Sequence, residues 1–348
     1  MPETVSATRR YYYGFDYLRA VMALAVVAWH IHLFGISSLF DQRAISPHAL
    51  TISNIVNFQF LLLAVPFFFL ISLFLFFDHY HKTHGHYFNN RIKKIACLYG
   101  FWLGLFFLFY GRRCGLSPLL PVDGKDLIIK IVSGWSTLYY FFFSLLVMTC
   151  LARIVVSLPR QVVWMLCILS LSSLWGIVFL VKIGVAPNCL VAYWNPLNFL
   201  PYVFIARLFS GISDQDLSTF SLLPVFLLLL GVVLAAGFEW QWMISSQNFP
   251  YNDCAFPAYT RVSLALGAIL VFRLSWFIRR RPHRLIRFLS DYSLGLYCLH
   301  GYVSLLIYER IVSTRGGQGA PLIAFLLIVS LSLAAAVVLR RLLGRQLI

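Results

Sequence analysis

Apolar residues follow one another along this chain in long continuous blocks. Short polar or Pro/Gly segments separate them, leaving blocks at roughly 16–37, 53–77, 95–111, 136–156, 161–182, 197–210, 219–237, 257–278, 290–308 and 320–342. Most approach the about 20 apolar residues that a helix needs to cross a bilayer. Barrel strands alternate apolar and polar positions, and these blocks do not. The pattern therefore predicts an all-α, polytopic membrane helix bundle with about ten transmembrane helices. The sixth block, LNFLPYVFIARLFS, is the shortest. No internal repeat of fixed period is visible, and no soluble domain fits between the blocks. Residues 1–348 read as a single integral-membrane domain with no soluble appended domain. The first block is long enough to span, and no Ala-x-Ala site follows it. It is expected to be a retained first helix rather than a cleaved signal.

Composition agrees with a lipid-facing chain. Hydrophobic residues make up 60% and charged residues 11%, with a mean hydropathy of +0.81; a soluble chain carries about a quarter charged residues. The net charge of +16 would suggest nucleic acid in a soluble protein. In a membrane protein it reflects Lys and Arg collected in cytoplasmic loops, so no nucleic-acid partner is expected. With the N-terminus inside, 17 Lys/Arg residues fall in inner segments and 8 in outer loops. That asymmetry favours an N-in/C-in arrangement. The basic 111–135 loop runs against it. Among the seven cysteines no CxxC pair occurs, so neither a disulfide framework nor a zinc site is indicated, although Cys114, Cys189 and Cys254 fall in polar loops where pairing is open. His79, His81, His84 and His86 recur at short spacing in a polar stretch without a matching carboxylate or cysteine, and no metal is expected there. No Walker loop or GxGxxG is present.

The first block holds the more informative residues. Arg19 and His30 lie 11 positions apart. At 100° per residue they differ by about 20° around a helix and by about 16 Å along it. They share a face. A charge at mid-bilayer costs about 2.5–3.5 kcal/mol, so that face should look into the bundle or a wet cavity. Two readings stand for each residue. Arg19 either snorkels to the interface or serves a site. His30 is either an inert bundle histidine or a functional one. Asp16 stands three residues before Arg19, a spacing that allows an i,i+3 pair. His32 falls on another face, nearer the interface. Near the C-terminus, YSLGLYCLH places Ser293, Tyr297 and His300 on one helical stripe. Each either bonds to a neighbouring helix or does chemistry. Arg91, Lys93 and Lys94 precede the third block, and five arginines in FIRRRPHRLIRFL precede the ninth. Positive-inside bias explains such clusters; a site for an anionic cytosolic ligand is the alternative.

These residues resemble a known family, the integral-membrane acyltransferases of family 3, which includes bacterial polysaccharide and lipid O-acetyltransferases. FDYLRAVMALAVVAWH is similar to the family's opening helix, an arginine followed after ten residues by histidine, here Arg19 and His30. VPFFFLISLFLFF resembles its second helix; Ser72 matches, and Leu73 stands where glycine is usual. FNNRIKKI resembles the basic inner-loop motif of two arginines, with Lys94 in the second position. SLGLYCLH resembles the late signature, matching Ser293, Tyr297 and His300. The resemblance covers nearly the whole chain and fades in the middle, where LYYFFFSLL replaces a Leu-Trp-Phe-like element.

The resemblance implies transfer of an acyl group, most often acetyl from acetyl-CoA as co-substrate, to a hydroxyl of a cell-surface or lipid-linked carbohydrate. No metal is implied. Arg91, Lys93, Lys94 and Arg19 would meet the donor's phosphates, with Ser72 lining the site. His30 would be the general base, or alternatively carry the acyl group. Tyr297, Ser293 or Arg19 would donate to the oxyanion, and Asp16 would hold Arg19. His300 would be a second proton-transfer group or a structural partner. The setting would be a multi-pass protein of the bacterial inner (plasma) membrane. Export of a glycan or lipid-linked sugar is the rival reading; intramembrane His and Arg suit it, but related halves and paired broken helices are missing.

Overall fold

The structure is a computed structural model, and it describes residues 11–31, 33–34, 52–83, 85–114, 132–134, 137–212, 222–245, 257–315 and 320–344. Helices dominate, and no strand occurs among the described residues. In chain order they are α1 (Tyr13–His30), α2 (Ala64–Thr83), α3 (Gly85–Cys114), α4 (Tyr140–Val155), α5 (Arg160–Lys182), α6 (Leu200–Ser210), α7 (Leu222–Ser245), α8 (Val262–Ser275), α9 (Arg284–Asp291), α10 (Ser293–Arg315) and α11 (Ala320–Leu343). A turn of α-helix (Ile52–Ile55), a π-turn (Val56–Phe60) and a 3-10 turn (Leu61–Leu63) lead into α2.

Among the described residues five helical stretches are long and apolar enough to cross a membrane: Ile52–Tyr80, His86–Phe109, Arg160–Lys182, Leu222–Met243 and Ala320–Leu343. Tyr140–Val155, Val262–Ser275 and Ser293–Ile307 are shorter apolar helices. The Ile52–Tyr80 stretch is the spine, with 78% of its most apolar window buried, against 11% for Leu222–Met243. The sequence of α2 explains this position. It is apolar all round, as a helix surrounded by other helices must be. Phe67, Phe69, Leu73, Phe76 and Phe77 are all fully buried, and Phe69 stacks on Phe199 at 4.1 Å between ring centroids. In contrast, α7 turns Leu223, Phe226, Leu230 and Leu234 outward, where lipid would cover them.

Small residues set how closely α1 packs. A Cβ on Gly14 would sit 1.9 Å from the carbonyl oxygen of Ser275, so only glycine lets α1 meet the end of α8. Further along, Ala23, Val27 and Ile31 bury against Leu296 of α10 and Ala324 and Ile328 of α11. Close backbone approach through small side chains is how helices gain packing energy in lipid.

Several boundaries differ from the sequence reading. The first block runs to 37, but α1 ends at His30, which puts that histidine at a helix end. The seventh block stops at 237, yet α7 continues to Ser245 through Glu239, because that carboxylate is fully satisfied inside the bundle. Amphipathic α9 was not foreseen as a separate element. Cys114 ends α3 rather than lying in a loop, and exposed Cys189 is a free thiol. His79, His81 and His86 belong to α2 and α3 rather than to a loop. His32, His84, Cys254 and most of the basic 111–135 segment lie outside the described residues.

Candidate active site

Two histidines meet where α1 ends. The rings of His30 and His300 lie 5.0 Å apart, centroid to centroid, tilted at 58°. His30 is exposed and His300 is fully buried behind it. Each ring is oriented by its own helix: His30 Nδ1 lies 2.8 Å from the carbonyl of Val26, and His300 Nδ1 lies 3.2 Å from that of Leu296. A carbonyl only accepts, so Nδ1 carries the proton in both neutral rings and Nε2 is left as the basic nitrogen. His300 Nε2 is buried and has no hydrogen-bond partner among the described residues.

A short turn holds α10 in place. Tyr297 donates its hydroxyl to the Leu138 carbonyl, and Tyr139 donates to the Cys298 carbonyl at 2.9 Å. Gly301 lets the Leu138 side chain come within 2.7 Å of where a Cβ would be. Two bonds from the Thr137–Tyr139 turn thus bracket the residues just before His300. The Tyr297 hydroxyl proton is spent on this contact. Ser293 lies two helical turns from His300, about 10 Å along the axis, and donates to the Ser290 carbonyl at 2.8 Å. The structure does not bring Ser293 to the histidines.

Arg19 and Asp16 occupy the other end of α1. Asp16 is buried and accepts from Tyr11 at 2.5 Å and from Ser290 at 2.9 Å. These contacts tie the start of α1 to α9. The Tyr11 hydroxyl is pushed up to about 12, by burial first and then by its bond to Asp16. Half-buried Arg19 feels the Asp16 charge but makes no hydrogen bond or ion pair with it, or with any described residue. The direct i,i+3 pair foreseen from spacing is not formed, because Asp16 is engaged by Tyr11 and Ser290.

The basic cluster before the third block divides. Arg91 turns inward onto α2, donating from Nη2 to the Ser72 carbonyl (2.9 Å) and hydroxyl (2.7 Å) and from Nη1 to Tyr87 (3.3 Å). Its guanidinium also lies over the Phe76 ring at 5.5 Å. Lys93 and Lys94 are exposed. Ser72 and Arg91 are therefore brought together, and the lysines stay at the exposed surface.

One charged constellation escaped the sequence reading. Glu239 of α7 and Arg261, just before α8, form an ion pair at 3.0 Å with side-chain exposures of 0% and 1%. Glu239 also accepts from Trp175 (3.1 Å), from the Ser263 amide (3.0 Å) and from the Ser263 hydroxyl. Arg261 donates to the Phe58 carbonyl (2.6 Å) and to Gln59 (2.5 Å), both in the π-turn. The wider π-turn takes the chain out of the regular ladder, and Arg261 satisfies a carbonyl there. Phe58 in turn meets Trp29, the neighbour of His30, edge to face at 5.3 Å. The signal was present in the sequence: Glu239 is the one acidic residue between 216 and 253.

Taken together, fold and site define a helical membrane protein whose first helix carries an arginine at one end and a histidine of a buried-edge pair at the other. Residues 12–341, nearly the whole chain, match a family described as an acyltransferase domain, and the chain belongs to that family, acyltransferase family 3. It is an acyltransferase. Neither the curated proteins nor the solved structures contain a match to the chain.

Proposed function

We propose that the protein transfers an acetyl group from cytosolic acetyl-CoA to a hydroxyl of a cell-surface or lipid-linked carbohydrate, with His30 as the general base. The observation that carries this reading is the His30–His300 pair at 5.0 Å, with His30 on the helix that also presents Arg19. The orientation of His30 by Val26 leaves Nε2 to accept a proton. In the proposed step, that nitrogen takes the proton of the acceptor hydroxyl as its oxygen attacks the thioester carbonyl. The C–S bond then breaks, and the thiolate leaves and takes the proton. His300 suits a second proton-transfer group, because its Nε2 lacks a bonded partner among the described residues.

Arg19 lies about 16 Å from His30 along the axis, too far to share one carbonyl comfortably. It suits the donor's phosphates better than the oxyanion, with Lys93 and Lys94 as further anion contacts. An extended donor arm along α1 would bridge the two ends. Arg91 and Ser72 would shape the site through their mutual bonds rather than bind the donor directly. Asp16 would act by fixing the α1 terminus. The three shorter apolar helices, with α1 and α6, would bring the five long stretches to about ten spans in an N-in/C-in arrangement within the bacterial inner membrane. The transport reading finds no support in the family or in the geometry.

The test compares O-acetyl content of surface glycans in cells making wild type or His30→Ala at matched membrane levels. Loss of a general base lowers the rate by about 10²–10⁴-fold. Undiminished acetylation by the variant would remove His30 from the chemistry.

A further inference from the structure

The segment between α8 and α10 has a construction that acyl transfer does not require. Helix α8 ends at Ser275 and α10 begins at Ser293, and α9 with its approach connects them while bonding to the start of α1. Three aspects of α9 differ in chemistry. Ser290, buried, faces the protein and donates to Asp16 of α1 at 2.9 Å. Leu285 and Phe288 face outward, 60% and 38% exposed. Arg284 and Arg287 are exposed on a separate stripe, and neither forms a hydrogen bond or ion pair with a described residue. The approach adds exposed Arg279, Arg280 and Arg281. Arg281 also donates to Tyr13 of α1 at 3.2 Å, and its carbonyl accepts from Tyr17 at 3.3 Å.

We propose that α9 lies in the membrane interface and binds the phosphate headgroups of anionic phospholipids. A helix docked on a protein by one side, with apolar residues on a second and arginines on a third, fits that interface. Leu285 and Phe288 reach the acyl boundary while Arg284 and Arg287 meet headgroup phosphates. Charge complementarity selects the anionic lipid: the guanidiniums have no protein counter-ion, and the local acid, Asp291, is a single exposed carboxylate. A free phosphate would use the arginines but give no role to the exposed Leu285 and Phe288. Because Ser290 and Arg281 bond to α1, the lipid would also steady the helix that carries Arg19 and His30.

The test uses the full-length protein, delipidated in a neutral detergent, and titrates fluorescently labelled phosphatidylglycerol with phosphatidylcholine as competitor. It needs no acyl-transfer assay, so it stands apart from the proposed reaction. Each basic residue near an anionic surface contributes about 1 kcal/mol. Arg284→Gln with Arg287→Gln is therefore expected to weaken phosphatidylglycerol binding roughly 30-fold. Leu285→Ser with Phe288→Ser is expected to weaken it too, while leaving displacement by inorganic phosphate unchanged. A charge-matched control, Arg153→Gln with Arg160→Gln, alters exposed arginines in the last turn of α4 and at the start of α5 and is expected to retain affinity. Equal losses in the α9 and control variants, or no loss in either, would overturn the proposal.

Discussion

Removing the Glu239 carboxylate tests how the bundle holds charge in its interior. In Glu239→Ala the Arg261 guanidinium stays charged at 1% exposure and loses its counter-ion. Trp175 Nε1 and both Ser263 donors lose their acceptor as well. Arg261 keeps the neutral Phe58 carbonyl and Gln59 amide and the face of the Trp240 ring at 5.7 Å. Breaking one partner of a buried pair costs about 3–5 kcal/mol, most of it the uncompensated charge left behind. Set against a total stability of about 5–15 kcal/mol, that loss is large. Glu239→Gln keeps a neutral acceptor for Trp175 and Ser263, so it is expected to cost less. The double variant Glu239→Gln with Arg261→Gln removes both charges together. It should cost less than the two single changes summed, with a coupling of about 1–3 kcal/mol. Reversible unfolding in mixed micelles, followed by circular dichroism during a denaturing-detergent titration, reads these differences. Single costs that add to within about 0.5 kcal/mol would refute the reasoning, because additivity means the two charges do not sense each other.

Other expectations follow from individual contacts. Gly14→Ala drives a Cβ to 1.9 Å from a backbone oxygen, so α1 and α8 must separate; a loss of about 1–3 kcal/mol is expected in the same assay. Gly301→Ala meets only the movable end of Leu138 and is expected to cost less; equal costs would contradict the distinction between backbone and side-chain obstruction. Arg91→Lys keeps the charge but has no planar fork to reach Ser72 and Tyr87 together, and a loss of about 1–2 kcal/mol is expected; unchanged stability would show that charge alone suffices. Tyr11 gives a pH signature. Its folded value, about 12, exceeds the ordinary 10.0, so its bond to Asp16 contributes fully below pH 10 and is lost as pH rises through about 12. The stability difference between wild type and Tyr11→Phe should therefore be level from pH 7 to about 10 and shrink above it; shrinkage beginning near pH 8 would contradict the assignment.

Much of the site was legible because its residues are costly where they stand. Hydrocarbon penalises Arg19 and His30 enough that eleven-residue spacing on one helix face singled them out. The pairing of His30 with His300 was not legible, since 270 positions separate them and no helical period relates α1 to α10. Ser293, Tyr297 and His300 share a stripe by period, yet they reach Ser290, Leu138 and His30 respectively. A stripe fixes direction from one axis and leaves open which neighbour lies there. The same limit applies to Asp16. Its spacing from Arg19 allowed a pair, but Ser290 and Tyr11 claim the carboxylate.

The sequence by itself determined that the chain is helical and membrane-embedded, because uninterrupted apolar blocks have no other stable form in lipid. It also pointed to the acyltransferase family and to the ends of α1 as the places to look. Tertiary structure alone decided that α2 is the spine, that Arg91 folds back onto Ser72, and that Glu239 and Arg261 neutralise each other against the π-turn. The physical reason is the same in each case. Local pattern reports what a segment must avoid, namely water for its leucines and lipid for its charges. Which partner relieves that constraint depends on helices far away in sequence, and it is settled only when their packing brings donor and acceptor within about 3 Å.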